Sequence, residues 1–255
     1  MYDIDINESF NDLKKKFDRI KNMGYIKGKN QKNKGDSGLT FENLIGKEND
    51  GFQIADYNGI EIKVKNNFLS DYRYLTLFSL VPSNCFGLEL KRLRREYGKQ
   101  DVNFLDVNVL MKSVFANFKV YDENNNSFQL EVNRKDERIY LCIFNRKKQV
   151  FDKSIYWDFD EIIGAIKRKL NHLALVKYDK KRIYGQDYFK YSSISFYKFK
   201  GIETFFELVE KGIIRIYICL GVYKSGPKSG CEHDHGIRFD IKECNMLKLY
   251  DVYEI

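Results

Sequence analysis

The sequence predicts a mixed α+β fold in which helices and strands alternate along a single domain spanning residues 1–255. Apolar residues recur at helical spacing near the N-terminus, and later segments rich in Val, Ile, Tyr and Phe alternate with Asn-rich or Lys-rich turns. Of the 255 residues, 43% are hydrophobic and 15% are aromatic, which is enough for a sizeable core. We expect two lobes, of residues 1–120 and 121–255, with a cleft between them.

The N-terminal segment shows the first helical pattern. Ser9 is a suitable N-cap, and it precedes apolar residues at helical spacing, namely Phe10, Leu13, Phe17 and Ile20. The lysines between them are expected on a solvated face. A second, shorter helix is predicted over residues 41–46, with Thr40 as its N-cap and Glu42 in its first turn.

The next element is a β-hairpin, predicted from the dipeptide Asn58-Gly59 between the apolar-rich runs 51–57 and 60–65. Asn-Gly favours a two-residue turn because both central residues need positive φ. Such a turn pairs Tyr57 with Ile60, and strand alternation then buries the isoleucines on one face.

The other face of this hairpin is predicted to carry Asp56, Glu61 and Lys63 together. Two neighbouring carboxylates repel each other, and a divalent cation would relieve the repulsion. This trio suits phosphodiester hydrolysis, with Asp56 and Glu61 holding Mg²⁺, or Mn²⁺ as a substitute, and Lys63 positioning or deprotonating the attacking water. The alternative is an exposed hairpin face that carries solvated charges.

The remaining elements follow from the same patterns. Strands are predicted at residues 74–81, 107–121, 128–132, 139–144, 150–157, 173–176, 188–199 and 213–222, and helices at 86–97, 158–170 and 201–211. The first of these strands is expected beside the catalytic hairpin, and the strands between residues 107 and 157 are expected to form an antiparallel meander. His172 lies between an apolar helix and an apolar strand, so we expect it to be a core or boundary histidine.

Composition indicates the partners. A net charge of +8 and a pI of about 9.0 favour nucleic acid. Residues 145–200 hold fourteen Lys or Arg and six Asp or Glu, interleaved with aromatic residues, which suits a groove that follows phosphates; a generally lysine-rich surface is the alternative. No apolar run reaches 18 residues and no export signal is visible, so we expect no membrane span and a cytoplasmic location. The five cysteines, none in a CxxC pair, indicate reduced thiols.

The hairpin and the helix before it resemble a known nuclease core. The spacing of Asp56, Glu61 and Lys63 is similar to the PD-(D/E)xK motif, without the Pro before the Asp. The wider pattern resembles MutH-like nucleases, especially the MvaI/BcnI family of Type II restriction endonucleases; it comprises Gly38, Thr40, Glu42, Asn43, Leu44, Ile45, Gly46, Asp56 and residues 59–63.

This resemblance implies a PD-(D/E)xK restriction-endonuclease-like core, with a mixed sheet flanked by helices. It also implies a Mg²⁺-dependent, sequence-specific endonuclease that cuts double-stranded DNA, acts as a monomer on one strand and then the other, and is accompanied by a separate cognate DNA methyltransferase. Glu42 matches the helix acid that supports the metal and its water. The competing hypotheses are a MutH-like enzyme that nicks one strand and a DNA-binding protein without catalytic activity.

A second constellation follows a glycine-rich loop near the C-terminus. It comprises His233, Asp234, His235, Arg238 and Lys242. The run resembles the segment with which the family reads base edges, for which His, Asp and Arg offer suitable donors and acceptors. A zinc site of Cys231, His233, His235 and Cys244, an HNH-type nuclease centre and a plain exposed turn are the alternatives, although the zinc spacing is unusual.

Overall fold

The computed structural model describes residues 5–30, 35–47, 54–68, 73–84, 88–145, 147 and 149–254, apart from the side chain of His235. The α-helices are α1 (Ile6–Asn22), α2 (Asp36–Leu44), α3 (Leu88–Tyr97), α4 (Phe159–Lys169), α5 (Ile202–Glu210) and α6 (Met246–Leu249), with a 3-10 turn at Glu243–Asn245. The strands are β1 (Ile26–Lys27), β2 (Ile60–Asn66), β3 (Tyr74–Ser79), β4 (Lys99–Gln100), β5 (Asn108–Val114), β6 (Val120–Tyr121), β7 (Ser127–Asn133), β8 (Arg138–Phe144), β9 (Val150–Asp158), β10 (His172–Ile183), β11 (Gln186–Phe199), β12 (Ile214–Val222), β13 (Glu232–Lys242) and β14 (Tyr250–Tyr253).

The chain divides into two compact units, and neither is continuous in sequence. Unit 1 comprises Met1–Arg73, Ile166–Lys200 and Leu247–Ile255, and unit 2 comprises Tyr74–Ala165 and Gly201–Met246. These bounds differ from the division near residue 120 that the sequence suggested. The assignment of separate catalytic and recognition lobes stays a prediction about function.

Unit 1 contains a mixed sheet in the order β1-β11-β10-β2, with β14 also paired to β11. Strand β10 runs parallel to β2 and antiparallel to β11, so the predicted mixed sheet is confirmed. Helices α1 and α2 contribute Phe10, Leu13, Phe17 and Phe41 to a core that also holds Ile60 and Ile62 of β2. Burying each of these side chains contributes about 1.5–3 kcal/mol, which holds β2 firmly under the two helices.

The helix starts differ from the predicted caps. Asp5, rather than Ser9, caps α1, because its carboxylate accepts a hydrogen bond from the amide of Asn7 at 2.9 Å. Helix α2 begins at Asp36, so Thr40 lies within it and Glu42 lies beyond its first turn. The hydroxyl of Thr40 instead donates to the Asp36 carboxylate at 3.3 Å.

Unit 2 contains two sheets, ordered β3-β13-β12-β5-β4 and β6-β7-β8-β9. Strand β3 pairs with β13, so the expectation that residues 74–81 lie beside the catalytic hairpin is wrong. The meander is confirmed for β6 to β9, but β5 leaves it and pairs with β12. Strands β3 and β5 both have buried apolar faces that fit more than one sheet. Their own sequences therefore did not specify which strands they pair with.

The other predicted features agree more closely with the structure. Helices α3, α4 and α5 form where periodicity placed them, and β10 and β11 form one long hairpin. His172 is half-buried and packs edge-on against Phe10, as a boundary histidine does. Cys142, Cys219, Cys231 and Cys244 are free thiols, and Cys85 lies outside the described residues. Among the described helices, none is long and apolar enough to cross a membrane.

Candidate active site

The turn at Asn58-Gly59 forms as predicted. Asn58 has φ +43° and Gly59 has φ +83°, so both residues adopt the left-handed conformation that this turn requires. Tyr57 and Ile60 exchange both backbone hydrogen bonds, with N–O distances of 2.9 and 2.8 Å. The pairing stops at this bridge in the described residues, and the part of the first run at 51–53 lies outside them.

Beyond the Tyr57–Ile60 bridge, the side chain of Asp56 makes the contact with β2. Its Oδ2 accepts a hydrogen bond from the amide of Ile62 at 2.9 Å. This contact fixes the carboxylate against β2, so Asp56 is held at the start of the strand that carries Glu61 and Lys63. The sequence predicted this proximity, but through opposed backbone positions rather than through a side-chain contact.

Glu61 and Lys63 lie on the same face of β2 and form an ion pair, with the Lys63 Nζ 2.6 Å from Glu61 Oε1. The side chain of Glu61 is only 2% exposed and that of Asp56 is 15% exposed. Charged side chains on an ordinary solvated hairpin face are not buried to this extent. The burial therefore favours a built site over the alternative of solvated charges.

Two further lysines contact the carboxylates, and sequence reasoning missed both. Lys47 Nζ lies 3.1 Å from Asp56 Oδ1, and Lys169 Nζ lies 3.5 Å from Glu61 Oε2. Lys47 is close in sequence and could have been noticed as a cation before the hairpin. No feature of the sequence indicated Lys169, because it is brought to Glu61 only by the parallel pairing of β10 with β2.

Glu42 belongs to the same electrostatic cluster. Partial burial raises the pKa of Glu42, and the negative charge of Asp56 raises it further, while Lys47 partly opposes these effects. Glu61 adds a smaller repulsion. The charges of two other carboxylates thus act on Glu42. The described residues nevertheless contain no group of three His, Cys, Asp or Glu side chains arranged to hold a metal ion by themselves.

The donor set nevertheless suits a divalent cation. Glu61 Oε2 is buried and has no hydrogen-bond donor within the described part of the chain. Two carboxylates are sufficient for Mg²⁺, which commonly keeps several waters and binds a substrate phosphate as well. Asp56 and Glu61 are therefore the residues that would hold such an ion, with oxygen ligands of the hard kind that Mg²⁺ and Mn²⁺ prefer.

Helix α1 supports the hairpin turn from the side. The hydroxyl of Tyr57 donates to the carboxylate of Asp12, and Lys16 Nζ lies 4.7 Å from the centre of the Tyr57 ring. Lys16 also donates to the carbonyl of Ile45 at 3.2 Å, just after α2. The lysine-rich face of α1 is therefore not merely solvated, because Lys16 contacts both the hairpin turn and the residue that follows α2.

The second constellation lies in unit 2, on a strand rather than on a projecting loop. His233, Asp234 and His235 belong to β13, which begins at Glu232. The strand carries a bulge opposite Cys219, where Gly236 has φ +82° and its amide donates to Asp234 Oδ1 at 2.7 Å. The alternative of a plain exposed turn is therefore wrong for His233 and Asp234, which are paired to β12.

The side chains along β13 have aromatic neighbours. The ring of His233 stacks on Tyr223 at 3.9 Å, the Arg238 guanidinium lies 4.8 Å from the Tyr217 ring, and Lys242 Nζ lies 5.7 Å from the Tyr74 ring. The Nε of Arg238 is buried and has no hydrogen-bond partner among the described residues. An unsatisfied guanidinium nitrogen marks Arg238 as able to bind a further acceptor.

The alternative metal sites gain no support from the described residues. Cys231 and Cys244 are exposed free thiols, and no cluster of metal-binding side chains includes them in the part of the chain that is described. The basic and aromatic segment 145–200 forms β9, α4 and the β10–β11 hairpin. Three of its aromatic residues are buried in the core and cannot line a groove, namely Phe189, Tyr191 and Phe196.

Comparisons with known proteins identify a family and two similar structures. The model of the MvaI/BcnI restriction endonuclease family matches residues 14–250. A solved structure described as a complex of restriction endonuclease MvaI with its cognate DNA substrate has a TM-score of 0.86 and 29% sequence identity, covering 96% of this chain and 98% of the other. MvaI without DNA gives a TM-score of 0.61 at 29% identity, covering 96% and 97%. No curated protein matched.

Proposed function

The chain belongs to the MvaI/BcnI restriction endonuclease family and is a Type II site-specific deoxyribonuclease, and we propose that its cleavage centre comprises Asp56, Glu61, Lys63 and Glu42. The observation that carries the assignment is the burial of Glu61 between Lys63 and Lys169, next to the Asp56 carboxylate that is fixed on the same strand. Removing charged groups from water costs free energy. Clusters of buried, interacting charges are frequent at functional sites.

Within this proposal, each side chain has a distinct role. Asp56 and Glu61 would hold Mg²⁺, for which Mn²⁺ could substitute; such an ion, when bound, would lower the pKa of coordinated water and offset charge on the phosphate. Lys63 orients the attacking water by donating hydrogen bonds to its oxygen. The bond from that oxygen to phosphorus forms while the bond to the leaving oxygen breaks; the proton that the water gives up passes to solvent, and a solvent proton neutralises the leaving oxygen. Glu42, with its raised pKa, hydrogen-bonds the water from the α2 side.

The proposed substrate is double-stranded DNA, read at a specific site. The name of the similar structure states that MvaI binds cognate DNA, and the net charge of +8 suits the same partner here. His233, Asp234, His235, Arg238 and Lys242 are proposed to contact the bases or the phosphates beside them. We further propose action as a monomer, one strand after the other, with a separate methyltransferase protecting host sites.

Plasmid digestion with Mg²⁺ and run-off sequencing of the ends tests activity, site and strand outcome together. We expect supercoiled DNA to pass through open circles to linear product, at a rate proportional to enzyme concentration. Accumulation of open circles alone would favour the MutH-like nicking hypothesis. Absence of any cleavage would favour a non-catalytic DNA-binding protein.

Two variants test the residue assignments. Asp56→Asn keeps an oxygen that can accept from the Ile62 amide but removes the charge, and Lys63→Ala removes the proposed water contact. We expect cleavage to slow by about 100-fold or more in each, with DNA binding in Ca²⁺ retained. Lys65→Ala, two residues further along β2, is the matched control and should keep the rate. Unchanged cleavage by Lys63→Ala would refute its role.

A further inference from the structure

Two arginines on one face of the sheet in unit 2 that contains β12 and β13 are held in different ways. In the register of these strands, Arg215 pairs with Asp240 and Tyr217 pairs with Arg238. Directly opposed residues, and alternate residues of one strand, share a face of a sheet. Arg215, Tyr217, Arg238 and Asp240 therefore lie on the same face.

The guanidinium of Arg215 is held by hydrogen bonds to the protein. Its Nε and Nη2 donate to Asp240 Oδ2 at 3.3 and 2.9 Å, and its Nη1 donates to Ser113 Oγ at 2.7 Å. Asp240 is 1% exposed and also accepts from the hydroxyl of Thr76 at 2.9 Å. This buried network fixes the plane of the Arg215 guanidinium.

The guanidinium of Arg238 is held by an aromatic ring instead. Its Nε is buried and has no hydrogen-bond partner among the described residues. Its Cζ lies 4.8 Å from the centre of the Tyr217 ring. A guanidinium at this distance is attracted by the negative face of the ring. The contact with Tyr217 therefore restricts where the Arg238 guanidinium can lie.

The Tyr217 ring has fixed neighbours of its own. The Cζ of Arg215 lies 4.8 Å from the centre of this ring and 3.3 Å from the centre of the Tyr74 ring. The hydroxyl of Tyr217 lies 3.6 Å from Met111 Sδ. Because Asp240 holds Arg215, the ring that contacts Arg238 is supported by a rigid group.

We propose that Tyr217 is a positioning residue for Arg238, whose guanidinium it holds in one orientation before DNA binds. The consequence for recognition rests on the proposed function, in which Arg238 is one of the residues that contact DNA. A side chain that is already ordered loses less conformational entropy when it binds. Tyr217 thereby strengthens binding to the specific site by acting through Arg238.

The positioning is tested first in the free wild-type protein. NMR relaxation of the Arg238 Nε–H group, assigned by its loss in Arg238→Lys, should give an order parameter of about 0.85, as in a rigid backbone. Arg95, whose side chain is 76% exposed, should give a value below about 0.6. Equal mobility of the two side chains would overturn the proposal.

The effect on recognition is tested by a double-mutant cycle of DNA binding in Ca²⁺. Tyr217→Leu should weaken binding to the specific site by about 3-fold to 30-fold, the range that corresponds to one cation–π contact. In an Arg238→Ala background, the same change should have no further effect, because Tyr217 acts through Arg238. Equal weakening in both backgrounds would contradict the positioning role.

Two variants serve as controls for removal of the ring. Tyr217→Phe keeps the ring and should keep specific affinity within about 2-fold; a loss as large as that of Tyr217→Leu would show that the hydroxyl, and not the ring, matters. Tyr156→Leu is the matched control, since Tyr156 is half-buried in the other sheet of unit 2 and its ring centre lies 4.0 Å from the Cζ of Arg138. It should leave specific affinity unchanged, and an equal loss there would count against a specific role for Tyr217.

The two proposals fail in different ways. If Asp56→Asn and Lys63→Ala cleave normally, the proposed function fails, while the order of the Arg238 guanidinium in the free protein still decides whether Tyr217 positions it. If those variants are inactive while Tyr217→Leu keeps the wild-type specific affinity, only the positioning role of Tyr217 is overturned.

Discussion

At the scale of residues, the candidate site consists of acids whose charge is balanced by lysines. Asp56 is paired with Lys47, and Glu61 is paired with Lys63 and Lys169. Burying an unpaired carboxylate costs several kcal/mol, and pairing with these lysines offsets part of that cost. A bound cation would join a site that is already electrostatically compensated.

Arg238 provides a residue-scale prediction for DNA recognition. Arg238→Ala should weaken binding to the specific site by about 1–3 kcal/mol if the guanidinium contacts a base edge through two hydrogen bonds. Binding to random DNA should change little. Fluorescence anisotropy in Ca²⁺ at fixed salt measures both affinities.

Arg238→Lys is the matched variant, because it keeps the charge but loses the planar pair of donors. It should retain binding to random DNA and lose specific affinity nearly as far as the alanine variant. Equal weakening on specific and random DNA would instead indicate a phosphate contact.

At the scale of elements, the left-handed backbone of the Asn58-Gly59 turn sets the positions of the Asp56 and Glu61 carboxylates. Gly59 has φ +83°, and a Cβ added there would meet no atom within 4 Å. Gly59→Ala should therefore destabilise the protein by about 1–2 kcal/mol through the left-handed backbone alone. Cleavage should also slow, because the turn sets the position of Asp56 relative to Glu61.

Gly185 offers a matched control in the β10–β11 turn. It has φ +76° and equally open surroundings. Gly185→Ala should cost similar stability in urea unfolding but leave the specific cleavage rate unchanged. If both variants lost activity in the same proportion, the loss would reflect general stability rather than the geometry of the site.

The junction of α3 with β9 provides a prediction of pH dependence. Burial alone would raise the pKa of Asp152, but hydrogen bonds from Arg92 and Ser154 outweigh it and hold the pKa below its usual value of 3.8. The Arg92 Nη1 lies 2.7 Å from the carboxylate. Because folding depresses this pKa, the stabilisation is present above the unfolded value and is lost as pH falls through the folded value.

Asp152→Asn should therefore destabilise the protein by about 1–3 kcal/mol at pH 7. The difference from the wild-type protein should shrink as pH falls below about 4. Urea unfolding at a series of pH values measures it. A difference that stays constant down to the acid limit would show that the charge of Asp152 contributes no stability.

At the scale of the whole molecule, net charge and family membership indicate the same partner. The net charge is +8, and the similar MvaI structure, with a TM-score of 0.86, is a complex with DNA. Positive charge acts on DNA mainly by releasing counterions, so affinity should depend steeply on salt.

We expect log affinity to fall linearly with log salt concentration. If six to ten phosphates are contacted, the loss between 50 and 200 mM salt should be about 10³-fold to 10⁵-fold. Filter binding in Ca²⁺ across that range measures the slope on specific and random DNA. An affinity that is insensitive to salt would mean that the charge serves solubility rather than DNA contact.

The sequence by itself determined the features that depend on neighbouring residues. The Asn58-Gly59 turn, the shared face of Glu61 and Lys63 and the buried positions of α1 follow from local backbone preference and periodicity. The combined spacing was also specific enough to indicate the family that the comparisons then showed.

Only the tertiary structure decided which distant segments meet. Strand β10, rather than β3, lies beside β2, and this pairing brings Lys169 to Glu61. Strand β5 joins β12 rather than the meander for a similar reason. Apolar strands resemble one another in sequence, so their partners are selected by packing of the whole chain and not by any one strand.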